Sequence, residues 1–93
     1  MMQIAPPHTY DQVIEAEVAI EILNRARALL SARIYELETS HPAEADRLRA
    51  KRRDLNALLS EIRVGDDEGV KAITEYWGQL TKDKAAFWTA ING

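Results

Sequence analysis

From Tyr10 to Glu38 the chain runs without a single glycine or proline, and no other feature restricts its fold as much. Within that stretch Ile20, Leu23, Arg27, Leu30, Ile34 and Leu37 recur at steps of three and four, continued backwards through Ala16 and Val13. This spacing predicts one amphipathic α-helix over about 10–38. At ~1.5 Å per residue such a helix is on the order of 40 Å long. Thr9-Tyr10-Asp11-Gln12 fits a capping box at its start, with Thr9 accepting from the amide three residues on and Gln12 reaching back. On a helical wheel the seam takes about a quarter of the circumference, and Val18, Ala19, Ile22, Ala26 and Leu29 widen the apolar arc to roughly half. One antiparallel partner covers only a strip of that arc. The rest calls for the C-terminal helices, a second copy of the chain, or both.

The remaining segments read as shorter helices. Residues 1–8 contain Pro6-Pro7 and are expected to be an extended tail. Thr39-Ser40-His41-Pro42 ends the first helix and opens a second over about 42–63, since proline suits a first helical turn. Leu48, Leu55, Leu58, Leu59 and Ile62 share one face of it, and Val64-Gly65 stops it. So short a connection favours an antiparallel pair. A third helix over about 67–79 carries Val70, Ile73, Trp77 and Leu80 and is weakened by Gly78. Thr81-Lys82-Asp83 can cap a last helix over about 82–91. No segment alternates apolar and polar residues over a strand's length. The expected class is all-α: a long antiparallel helical hairpin followed by one or two short C-terminal helices, in a single domain over 9–93. It would pack as a three- to four-helix bundle or a dimeric bundle.

Composition narrows the function classes. Apolar residues make up 46% of the 93 positions, but fourteen of them are alanine, which buries little area. A monomer is possible with a small margin of stability, and pairing would help. Cysteine is absent and there are two histidines, which removes disulfides, thiolate metal sites and thiol catalysis. The net charge is −3, without the basic surplus usual in nucleic-acid binders. It is unevenly spread: −5 over residues 1–46 and +2 over residues 47–93. Neither a signal peptide nor a membrane span is recognisable, so a cytoplasmic location is expected.

No constellation points to catalysis. Glu38 and His41 have the Glu-x-x-His spacing of di-iron bundles, but that chemistry needs two such pairs and two more carboxylates. The acids Asp66, Asp67 and Glu68 are contiguous, unlike a calcium loop, and read as helix capping. Ser31, Ser40 and Ser60 lack a glycine-bracketed turn. Glu15, Glu17 and Glu21 lie on the polar arc of the first helix. No enzyme activity, metal or cofactor is therefore expected.

Three features bear on partners. Arg47, Arg49, Lys51, Arg52 and Arg53 put five bases in seven positions. The belt reads first as a solvated face pairing with Glu36, Glu44 and Asp46, and otherwise as a specificity element for an acidic protein or as a phosphate grip. Arg27 interrupts the seam; a turn near 40–41 sets it opposite Asp54, and the two are expected to pair and fix register, unless Arg27 lays its stem on the stripe with its head in water. Finally, Tyr76, Trp77, Leu80, Phe87, Trp88 and Ile91 form an aromatic-rich stretch that is either core or a docking surface. The expectation is a non-enzymatic protein–protein interaction module, an adaptor, chaperone-like protein or inhibitor, that forms homodimers. The alternative is a nucleic-acid-associated protein using the 47–53 belt as a dimer.

Overall fold

The computed structural model describes residues 9–92, so the expected tail over 1–8 lies outside the described residues. Four helices follow in order, α1 (Tyr10–Leu37), α2 (Pro42–Glu61), α3 (Asp67–Lys82) and α4 (Lys84–Asn92), with no strand among the described residues. The all-helical class matches the sequence expectation. α1 starts where its capping box places it, Thr9 Oγ1 accepting from Gln12 N at 3.1 Å and Gln12 Oε1 from Thr9 N at 3.0 Å. Pro42 opens α2. Asp66 caps α3 by accepting from Gly69 N at 3.1 Å, and Asp83 caps α4 by accepting from Ala86 N at 3.2 Å. α3 runs three residues beyond the expected 79, because Gly78 is tolerated inside it and the break falls at Asp83.

α1 packs closely on both α2 and α3, which approach each other less closely, and α4 packs on α3. α2 runs antiparallel to α1: Arg49 meets Glu38 at 3.2 Å and, further along, Arg52 donates to Ser31 at 3.0 Å. α3 runs back parallel to α1. Its start lies beside Gln12, which reaches Asp67 at 3.4 Å, and Gly78 lies beside Ile22. Gly65, the turn residue between α2 and α3, has φ 97°, a backbone region that glycine alone enters without cost.

The main core joins Leu23, Ala26, Leu30 and Ile34 of α1 to Ala45, Leu48 and Leu55 of α2 and to Phe87 and Ile91 of α4. A smaller cluster of Ala16, Ala19 and Val70, flanked by Ile62 and Val64, closes the other end. The buried line of α1 is thus Ala16, Ala19, Leu23, Ala26, Leu30 and Ile34. Ala19 and Ala26 replace the expected Ile20 and Arg27, and Val13 and Ile20 stand exposed. The reason is geometric. α1 faces two helices, and small residues on the line between them let both backbones approach.

Candidate interaction surface

α2 stops at Glu61, and only Ile62, Val64 and the start of α3 reach the first turns of α1. Large apolar side chains there are left uncovered. Of the seven exposed large hydrophobic residues among those described, five fall within one segment of α1: Tyr10, Val13, Ile14, Val18 and Ile20. Ile14, Val18 and Ile22 recur every four residues and so line the side of α1 that faces α3.

Across from them stand Val70, Thr74 and Gly78 of α3. Between the two helices lies a groove made of two adjoining hollows, of about 570 and 460 Å³, which share Val18, Thr74 and Glu75. Its ends differ in charge. Glu15 and Asp67 line the end near the start of both helices, whereas Arg25 and Lys82 line the other. Glu21 pairs with Arg25 at 3.6 Å and Lys71 with Glu75 at 3.9 Å along the rims.

The aromatic-rich stretch lies elsewhere and is mostly core. Phe87 and Ile91 are buried, and Trp77, Leu80 and Trp88 are half-buried against the main core. α4 folds back over the α1–α2 seam, and Phe87 fills the space between them. Phe87 and Trp88 meet edge to face with centroids 5.0 Å apart, and the Arg33 guanidinium lies 5.7 Å from the Trp88 ring centroid. Tyr76 alone of the set is exposed, at 56%. It borders, with Trp77, Leu55 and Leu58, a shallow hollow of about 220 Å³ rimmed by Lys51 and Asp54.

The basic belt is largely tied into the fold. Arg47 donates to the Glu44 carboxylate, to the Ile91 carbonyl at 3.3 Å and to Asn92 Oδ1 at 2.6 Å. That hydrogen bond from Arg47 holds the Glu44 carboxyl below the usual carboxylate range, and it raises Arg47 in turn. Arg49 bridges Asp46 and Glu38, and Arg52 reaches Ser31. Glu36, expected as a belt partner, pairs instead with Arg33 at 3.3 Å. Lys51 and Arg53 are exposed.

Arg27 and Asp54 do not pair. Arg27 is half-buried, donates to Asn24 Oδ1 at 3.0 Å and has its Nε enclosed without a protein partner. Asp54 is exposed on the α3 side of α2. The cross-hairpin contacts of Arg49 with Glu38 and of Arg52 with Ser31 are offset from the register of a symmetric turn at 40–41; residues 38–40 continue α1 as a hydrogen-bonded turn, His41 N donating to the Leu37 carbonyl at 2.7 Å. Glu38 and His41 are likewise engaged separately, with Arg49 and with Ser40 at 2.9 Å.

Ile14 is the groove residue that sequence reasoning missed. The signal was present in the step of four through Tyr10, Ile14, Val18 and Ile22, a second aliphatic stripe beside the alanine line. Among the described residues no three His, Cys, Asp or Glu side chains gather as a metal site, and no helix is long and apolar enough to cross a membrane. Compared with family models, curated proteins and solved structures, the chain finds no match in any of the three.

Proposed function

We propose that this chain is a non-enzymatic protein-interaction module. In this reading the α1–α2 hairpin, closed by α3 and α4 as a small bundle, is a rigid arm, and the groove between α1 and α3 is the working surface. The observation that carries it is that the exposed aliphatics Ile14 and Val18, with Ile22, line a groove against α3 that the chain itself leaves uncovered. Burial of apolar area at ~25 cal/mol per Å² makes such a segment the strongest source of binding energy on the molecule. The charged groove ends supply orientation rather than affinity. The role fits an adaptor, a chaperone-like protein or an inhibitor acting in the cytoplasm.

The nucleic-acid alternative draws less support. Two of the five belt residues, Arg47 and Arg49, are ion-paired within the fold and Arg52 is directed to Ser31 of α1, which leaves a smaller set of cations facing outward to release counterions from a phosphate backbone.

Site-specific photocrosslinking in the producing cell tests the proposal. A crosslinking side chain at Val18 is expected to yield protein adducts, and the same group at the exposed Ala57 of α2 is not. Equal labelling at the two positions would contradict it.

A further inference from the structure

Four of the twelve basic side chains are half-buried, Arg27, Arg47, Arg49 and Arg52, and all four stand on the α1–α2 hairpin. Arg47 and Arg49 are neutralised there by Glu44, Asp46 and Glu38. Arg27 and Arg52 are not. All fifteen acidic side chains lie among the described residues, and none of them forms an ion pair with either arginine. Arg27 donates to Asn24 and Arg52 to Ser31, each at 3.0 Å and each to a neutral oxygen, and Arg27 Nε is enclosed without a protein partner. A neutral oxygen occupies one of a guanidinium's five donors and leaves its charge. Holding such a charge partly out of water without a counter-ion is costly.

The arginine contacts on this side of the hairpin form a ladder. Asn24, Ser31 and Glu38 follow one another at steps of seven along α1, and they receive Arg27, Arg52 and Arg49 in turn. Only the third rung is acidic. At ~1.5 Å per residue the rungs are roughly 10 Å apart. Ile22 and Arg33, through which α1 meets α3 and α4, lie about half a turn round the helix from Ser31, so the ladder is on the open side. Ile20 and Tyr35 stand exposed there, one turn before Asn24 and one turn after Ser31.

We infer that the two neutral rungs are a docking site for an acidic helix of a partner protein, whose carboxylates, seven residues apart, supply the counter-ions of Arg27 and Arg52. A helix laid along α1 repeats its rise, so positions i and i+7 match the rungs. Apolar side chains flanking those carboxylates cover Ile20 and Tyr35, as in a protein interface that surrounds its charged contacts with aliphatic and aromatic area. A nucleic-acid strand matches the ladder less well, since its phosphates recur about every 3.4 Å of axis and the chain's net charge of −3 repels them. The site is separate from the α1–α3 groove and does not depend on it.

The probe is an alanine–glutamine helix of about 18 residues, carrying two leucines and two glutamates seven apart, titrated into the full chain at low salt. Amide NMR shifts of Asn24, Ser31 and Arg52 are expected to report binding, and an isomer with its glutamates side by side should bind at least ~10-fold more weakly. Arg27→Gln with Arg52→Gln removes the charges. Asn24→Glu with Ser31→Glu supplies counter-ions from within, as Glu38 does for Arg49. Each pair is expected to weaken peptide binding at least ~10-fold with helical circular dichroism unchanged. The second pair should keep or raise the thermal midpoint, so that its loss of binding is not a loss of fold. No shift with the spaced peptide, equal affinity for the two peptides, or variant pairs that bind like the parent overturns the proposal. A single-stranded DNA of about 12 nucleotides that binds as tightly as the spaced peptide also overturns it and assigns the ladder to phosphates. Val18→Glu, in the α1–α3 groove, should leave peptide binding unchanged. Loss of binding there would put the peptide in the groove and overturn the ladder, whereas failure of the ladder alone leaves the groove reading standing.

Discussion

Gly78 and Gly65 show how differently one residue type behaves in this chain. Gly78 is buried in the middle of α3, and a Cβ built there would meet Ile22 Cδ1 at 3.5 Å, an ordinary contact. Glycine inside a helix forfeits about 0.5–1 kcal/mol relative to alanine through the extra freedom of its unfolded chain. Gly78→Ala is therefore expected to raise the unfolding free energy in urea by roughly 0.5–1 kcal/mol, and a loss of stability would show that α3 and α1 are packed more tightly than described. Gly65, at φ 97°, permits no such exchange. Any side chain there strains the turn that sends α3 back along α1.

At the scale of elements, α4 is the helix whose placement depends most on one side chain. Arg47 of α2 holds the Ile91 carbonyl and Asn92 at the end of α4 while bonded to Glu44. Arg47→Ala should free that end and raise amide hydrogen exchange over residues 87–92 by roughly tenfold, with α1 and α2 protected as before; unchanged exchange would mean that Phe87 and Ile91 alone hold the helix. The pair also carries a pH dependence. Glu44 has a lowered pKa in the folded chain because of the hydrogen bond from Arg47, so its contribution is complete above the ordinary carboxylate range. It is lost as pH falls through the lowered value. Protection factors over α4, referred to the intrinsic exchange rate at each pH, should therefore fall in acid in the parent chain and not in the Arg47→Ala variant. These elements were largely readable from local chemistry: the Thr9–Gln12 box, Pro42, and the Asp66 and Asp83 caps each act within three or four residues. The burial of α1 was not. Hydropathy favours Ile20 over Ala19, whereas a helix squeezed between two neighbours selects the smaller residue. The register of Arg27 depended in the same way on the shape of the 38–41 connection, which no local rule supplies.

For the whole molecule, the shortage of core announced by fourteen alanines is resolved unevenly. At one end α2, α3 and α4 wrap α1, and Phe87, Leu23, Leu30, Leu48 and Leu55 are fully enclosed. At the other, α1 outlasts α2, Val13 and Ile20 stand exposed, and Ile14 and Val18 line the open groove on the α3 side. The C-terminal aromatics are consumed in making the closed end, so the surface available for partners moves to the first turns of α1, away from where aromatic content alone would place it. Amide and methyl NMR shifts of the full chain followed through a titration with a neutral apolar probe, N-phenyl-1-naphthylamine, test this division most directly. The expected result is concentration-dependent shifts confined to Ile14, Val18, Ile22 and Thr74 and their neighbours along the α1–α3 groove, with α2 and α4 silent. Shifts centred on the 47–53 belt or on Tyr76, or none at any probe concentration, would contradict the α1–α3 groove as the interaction surface.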